Sequence, residues 1–305
     1  MERKQRRRDR DPGETTVKQS PPSSGTKHSD AKERHLGRES SFSLLLVVAV
    51  ACAVYLNSIP NEFASDDKLF IIKHPYTKSL SLLPYIFITG EMAGEGLYRP
   101  LVTLSYALNY QVGGLNPIGY HLVNVILHGA NTALLYLVIR VLFGTHPIAL
   151  ISALFFAVHP IHTEAVTWIA GRSELLAALF FFLSWLLYLR TSAKEKPPLL
   201  SFAPALLAFF LALLSKEHVL MLPLVLLLSD VYRAIGKPRQ ASRELAKMFS
   251  VYLAYTVVII CYFSMRWFLY AHPFLINPAH FDFVVNPIAA LPFYLRFLTA
   301  MKVWG

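Results

Sequence analysis

The sequence predicts an all-α polytopic membrane protein, a bundle of about eight transmembrane helices with a long first extracytoplasmic loop. Three observations predict this class. Of the 305 residues, 54% are hydrophobic and only 16% are charged, and the mean hydropathy is +0.43. Soluble domains seldom combine those values. Several apolar windows approach the roughly 20 residues needed to cross a hydrocarbon core about 30 Å thick. These windows are long and unbroken, which favours helices over the short alternating strands of a barrel. Finally, the excess of positive charge is concentrated in the N-terminal tail and in loops on one side, the distribution of a membrane topology.

Residues 1–41 are polar, with Arg6, Arg7 and Arg8 in a run and Pro21, Pro22, Ser23, Ser24 and Gly25 further on. Such a composition cannot bury a core, and a disordered cytosolic tail is expected. No small-residue cleavage site follows the first apolar run, so 42–60 reads as a retained first span. The spans that follow are 118–140, 147–165, 173–190, 199–214, 219–232, 250–270 and one starting near 288, which the chain end at Gly305 is expected to leave incomplete. The cytosolic connections then carry Arg140; Arg190, Lys194 and Lys196; and Arg233, Lys237, Arg239, Arg243 and Lys247. The opposite side carries Asp66, Asp67, Glu91, Glu95, Glu164, Arg172 and Glu174. Between the first two spans, the loop 61–117 holds apolar runs such as Leu80 to Ile88, too short to cross and suited to helices lying in the interface.

This distribution also excludes some functions. A net charge of +10 would suit nucleic acid, but the excess sits in a tail and in one set of loops, and no nucleic-acid partner is implied. Cys52 and Cys261 both fall inside apolar segments, so neither a disulfide framework nor a metal-binding pair is implied.

The unusual polar residues gather on the non-cytosolic side. Asp66 and Asp67 follow the first span. Arg99 closes the same loop. His159, His162 and Glu164 end the third span, Arg172 and Glu174 begin the fourth, and Lys216 and Glu217 form the turn between the fifth and sixth. A charge in or beside a membrane helix costs from about 2.5 kcal/mol upward, so it normally meets a partner or a wet cavity. The two aspartates read either as a solvated cap or as functional groups. In the second case one acts as general base toward a hydroxyl, or the pair holds a divalent cation against a phosphate. Arg99 reads as a bidentate grip on a lipid phosphate or as a structural ion pair. On the second span, His121, Asn124, His128 and Asn131 share one helical stripe, which serves to bond neighbouring helices or to touch substrate. His121 and His128 stand two turns apart, roughly 10 Å, too far to share one metal ion. Pro160 likewise breaks the regular face that a metal pair at His159 and His162 would need. Arg172 with Glu174 reads equally as a cap and ion pair or as a donor-phosphate or substrate contact, and Lys216 with Glu217 equally as a solvent-facing pair or as such a contact. No cofactor is implied with certainty.

In order, these residues run Asp66-Asp67; Tyr98-Arg99-Pro100-Leu101; His121-Leu122-Val123-Asn124 through His128; Ala157-Val158-His159-Pro160-Ile161-His162-Thr163-Glu164; Gly171-Arg172-Ser173-Glu174; and Ser215-Lys216-Glu217. The ordered set resembles the membrane half of the transmembrane and tetratricopeptide-repeat-containing proteins and their bacterial relatives, which have the GT-C glycosyltransferase fold and are similar to protein O-mannosyltransferases. The resemblance covers roughly residues 42–305. It implies a polyprenyl- or dolichyl-phosphate-linked sugar as donor, mannose in the animal members, and a protein hydroxyl as acceptor. Transfer would take place on the lumenal or periplasmic side of an endoplasmic reticulum or bacterial inner membrane. Asp66 or Asp67 would match the first-loop acid that serves as base, and Arg99 a donor-phosphate contact. The other motifs carry over only their place on the catalytic face. Members of this family continue into tetratricopeptide repeats, and none is present here, so a fragment or a minimal form is expected. Two rivals remain from the residues alone: another lipid-linked group transferase, or a flippase using the polar stripe of the second span.

Overall fold

The computed structural model describes residues 41–89, 98–195, 197–235 and 238–271. The basic tail up to residue 40 and the span expected near 288 lie outside the described residues. So do Glu91, Glu95, Lys196, Lys237 and the side chains of Arg239, Arg243 and Lys247. Regular structure among the described residues is helical. Four helices are long and apolar enough to cross a membrane, Ser41–Ser58, Pro117–Phe143, Ile169–Ser192 and Phe249–Leu269; a bent pair, His146–Val158 with Pro160–Thr167, makes a fifth. The protein is an integral membrane protein.

The first helix, α1, occupies residues 41–54 and ends in a 3-10 turn at Leu56–Ser58. In the loop that follows, the residues after Asp67 form a π-helical segment, Lys68–Ile72. The expected interfacial run becomes a 3-10 turn and the short helix α2, Leu83–Thr89. A second helix in this loop, α3 (Pro100–Gly113), departs from the sequence reading. Pro100 starts it and Gly114, at φ 59, ends it. That is the usual asymmetry of a helix with proline inside its start and glycine past its end. At 14 residues α3 is too short to span, and it buries one face through Val102, Thr103, Tyr106 and Ala107.

Helix α4 (Pro117–Phe143) is capped by Asn116, whose side chain accepts from the Ile118 amide at 3.1 Å, and it stops at Gly144, at φ 71. It is the central post, with α5 (His146–Val158) and α7 (Arg172–Ser192) packed along it. Gly129 lets α1 cross it closely, since a Cβ there would stand 2.9 Å from Cys52 Sγ. The third expected span is not one straight helix. His159 is extended (φ −67, ψ 127), as a residue before proline prefers, and the chain bends by 48° before continuing to Thr167 through α6 (Thr163–Thr167).

Helix α8 (Ala203–Leu213) packs on α7, and the break at Lys216 leads through a 3-10 turn to α9 (Leu222–Ala234). The fifth expected span is a shorter apolar helix, Leu199–Leu213. The sixth is the 13-residue α9, which contains Asp230 and Arg233 and is not among the helices long and apolar enough to cross. Long α10 (Pro238–Ala271) closes the bundle against α8 and α9. The main core is aromatic-rich, with Tyr188, Phe202, Phe209, Tyr255 and Tyr262 fully buried between α7, α8 and α10.

Candidate functional site

The loop ends predicted to lie on one side do converge. The 58–67 loop, the start of α3, the bent segment 159–171, the start of α7 and the α8–α9 turn surround one cavity of about 810 Å³. Two hydrogen bonds bring distant pieces together. The Leu101 amide reaches the Leu214 carbonyl at 3.4 Å, which places Arg99 beside the Lys216 turn. Asp67 Oδ1 accepts from the Ala170 amide at 2.8 Å, which holds the first loop against the bent segment.

The adjacent aspartates have different fates. Asp66 is exposed and lines the cavity, with Ser65 donating to its Oδ1 at 3.3 Å. Asp67 is 1% exposed and is not among the lining residues. Its second oxygen accepts from the Ala64 amide at 2.9 Å. Burial pushes the Asp67 carboxyl above its ordinary range, against the pull of those two N–H donors. Ser65 directly precedes the pair. It adopts the left-handed conformation, at φ 48, the only non-glycine residue to do so among those described. A side chain is uncomfortable there.

Arg99 lines the cavity and donates from Nη2 to Glu217 Oε2 at 3.3 Å. From α10, Arg266 Nη1 reaches the other oxygen of Glu217 at 3.1 Å. Lys216 Nζ pairs with Glu174, whose second oxygen lies 3.7 Å from His218 Nε2. Burial lowers the His218 pKa, partly opposed by the Glu174 carboxylate. His162, Glu164, Glu174 and Lys216 all line the cavity. Phe156, Leu175, Ala178 and Phe182 add apolar surface to the same lining.

Other expected site residues serve the frame. Arg172 is 0% exposed and lies outside the cavity lining. It donates from Nε to Asn124 Oδ1 at 2.9 Å, from Nη1 to Asn109 Oδ1 at 2.6 Å and from Nη2 to the Tyr120 carbonyl at 2.7 Å, and lies over the Tyr106 ring at 4.9 Å. Its hydrogen-bond acceptors are neutral oxygens, so it knits α3, α4 and α7 together. Asn124 continues this web, donating to the Trp168 carbonyl at 3.0 Å. His121 is buried beside the backbone of Asn61 and Glu62. His159 accepts the Ile161 amide at 3.2 Å through Nδ1 and so starts the turn after its own proline break. Gly171 is required by close packing, because a Cβ there would meet the Ala165 carbonyl oxygen at 2.5 Å.

The polar stripe of α4 therefore divides. Its first half, His121 and Asn124, is structural. Its second half, His128 and Asn131, lines the cavity. His128 Nε2 lies 3.1 Å from the Ala157 carbonyl. Asn131 donates to the Leu175 carbonyl at 3.0 Å, while its Oδ1, like Nε1 of the cavity-lining Trp168, has no hydrogen-bond partner. Sequence reasoning had His128 and Asn131 on the stripe that bonds helices or touches substrate; it missed Trp168, which lines the cavity, and Arg266, which pairs with Glu217. The 3.6-residue period that found the stripe says which residues share a face, and it carries no sign of how deep along the helix a cavity reaches. Among the described residues no three His, Cys, Asp or Glu side chains are placed to hold a metal ion.

Fold and site together define a helical membrane protein whose charged groups ring one cavity at one end of its bundle. The chain matches the family described as dolichyl-phosphate-mannose-protein mannosyltransferase over residues 99–268, more than half its length, and it belongs to that family. Among curated proteins, it is 35% identical over 176 residues to Protein O-mannosyl-transferase TMTC1 of Homo sapiens, covering 55% of this chain and 20% of that protein. It is 40% identical over 180 residues to Protein O-mannosyl-transferase tmtc2 of Xenopus laevis, covering 55% and 21%. With Protein O-mannosyl-transferase TMTC3 of Homo sapiens the identity is 36% over 203 residues, covering 63% and 22%. The matched region thus spans about a fifth of each relative's length. No solved structure matches the chain significantly.

Proposed function

We propose that this chain carries the membrane-embedded transfer site of a protein O-mannosyltransferase. A mannose-type sugar would pass from a polyprenyl- or dolichyl-phosphate carrier to a protein hydroxyl on the lumenal or periplasmic face. The observation that carries this reading is one cavity lined by the exposed carboxylate of Asp66, by Arg99 and Lys216, and by apolar side chains that include Phe156 and Phe182. Asp66 takes the proton of the acceptor hydroxyl as that oxygen attacks the anomeric carbon. The lipid phosphate leaves with the bonding pair, its charge met by Arg99. A single displacement of this kind inverts the anomeric centre. Asp67 holds the loop that presents Asp66.

The relatives' names support mannose and protein as the transferred and accepting groups. The crowding of ionisable groups at one end supports transfer over transport, which needs access from both faces. The opposite end carries Arg140, Arg190, Lys194 and Arg233, supporting a cytosolic N-terminus in an endoplasmic reticulum or bacterial inner membrane. The test supplies the purified protein with polyprenyl-phosphate mannose and a serine- and threonine-containing peptide. Mannosylated peptide is expected, and Asp66→Asn should abolish it. Transfer surviving in Asp66→Asn would remove the base; no transfer from any lipid-phosphate sugar would overturn the reading.

A further inference from the structure

Glu217 lies at the rim of the site and is gripped from both sides. Arg99 reaches one carboxylate oxygen at 3.3 Å from the start of α3, and Arg266 reaches the other at 3.1 Å from near the end of α10. Each guanidinium donates one N–H to a different oxygen of the carboxylate, and a phosphate group, whose oxygens accept the same charge-assisted bonds, suits such a pair of donors. The side chains are about a quarter exposed or less, 16% for Arg99, 23% for Glu217 and 26% for Arg266. Water screens them only in part, so removing the carboxylate would leave two partly desolvated cations facing each other. Arg99 also lines the cavity, so the seat adjoins the space where a donor would lie. The ion-pair cluster around it holds Arg99, Arg266 and Lys216 against Glu217 and Glu174.

We propose that Glu217 is an internal stand-in for the lipid phosphate, and that Arg266 is the second arm, with Arg99, of a clamp that the phosphate enters by displacing the glutamate. This deepens the proposed function and rests on it for the identity of the lipid. Glutamate occupancy keeps both arginines paired and aligned while the site is empty, so the phosphate meets a formed seat. It also means that every phosphate bound must compete with a tethered carboxylate.

The test measures binding of a short polyprenyl phosphate, without sugar, to the detergent-solubilised full chain, alongside its thermal unfolding. Glu217→Gln removes the competing charge and keeps the shape, and is expected to tighten binding about tenfold. Arg266→Gln is expected to weaken binding at least about tenfold, the loss of one charge-assisted bond. Arg266→Lys should recover part of it, since it keeps the charge and loses the fork. Inorganic phosphate, titrated in parallel, should follow the same order of variants at much weaker affinity; equal affinity for both would overturn the assignment to a lipid-borne phosphate. If Glu217→Gln lowers the melting temperature and leaves affinity unchanged or weaker, the trio is a strut between α3, the α8–α9 turn and α10, and the proposal fails. That failure is separable from a failure of the transferase reading. Sugar transfer with no gain in Glu217→Gln would sink only the clamp, whereas the expected binding order without sugar transfer would sink only the transferase.

Discussion

Replacing the two adjacent aspartates one at a time separates chemistry from architecture. Asp67→Asn leaves a single carbonyl oxygen where two carboxylate oxygens each accept a backbone amide, from Ala64 at 2.9 Å and Ala170 at 2.8 Å. One amide keeps a partner and loses the charge assistance, worth about 1 kcal/mol; the other faces an NH₂ group and is orphaned, at about 1–3 kcal/mol. Against this, the variant escapes the desolvation that raises the Asp67 pKa, so the net loss should be about 2 kcal/mol. Asp66→Asn touches an exposed side chain and should alter stability by no more than about 0.5 kcal/mol. Activity should show the opposite weighting. Losing a general base costs about 10²–10⁴-fold, so Asp66→Asn should fold as the wild type does and scarcely turn over. Asp67→Asn should melt earlier and retain turnover in whatever fraction keeps the loop in place. Thermal unfolding in detergent and single-turnover mannose transfer, run on the same preparations, measure both. The linkage sign adds a check. Because the Asp67 pKa is raised on folding, its contribution is fullest below the ordinary carboxylate range and is lost as pH rises through the raised value. The stability gap between wild type and Asp67→Asn should therefore narrow from acidic to neutral buffer. A thermally normal, inactive Asp67→Asn beside an active Asp66→Asn would refute the division of roles.

Three further substitutions probe the frame. Arg172→Lys keeps the charge and loses the planar fork that reaches Asn124, Asn109 and the Tyr120 carbonyl at once; destabilisation of about 3 kcal/mol is expected in denaturant or thermal unfolding. Gly171→Ala drives a methyl into the Ala165 backbone, with 2.5 Å to its carbonyl oxygen. It should cost about 1–3 kcal/mol and lower transfer by shifting the 165–171 segment that the cavity shares. Ser65→Gly relieves the left-handed backbone at φ 48 and should raise stability by up to about 1 kcal/mol. Because it also removes the hydroxyl that bonds Asp66, turnover is expected to fall while the melting temperature rises.

Much of the fold was legible because hydropathy is read locally. Asn116-Pro117 and Gly144 bound α4 as a cap, a first-turn proline and a left-handed stop, and the apolar run between them needs no tertiary information. The break that Pro160 makes in the helical face was legible for the same reason, since proline restricts its predecessor, whereas the 48° bend of the span was not expected. Helix α3 was missed although its punctuation was present, Pro100 at the start and Gly113-Gly114 at the end. Its 14 residues do not reach the length of a span, and a search tuned to membrane thickness passes over such a helix. For Arg172, a charge at a helix start suggested the site, and only the positions of Asn109, Asn124, Tyr106 and Tyr120 reveal a fully buried pivot.

By itself, the sequence determined that this chain is a helical membrane protein with its reactive groups at the ends of its helices. Transfer free energy adds up along a helix, and charges are driven to the ends where it stops. Only the tertiary structure decided which of those charges share a cavity. Asp66 and Asp67 are neighbours of identical chemistry, and what holds Asp67 apart includes an amide 103 residues away in sequence. No local pattern encodes so distant a partner, because the choice between facing substrate and facing scaffold is made by packing.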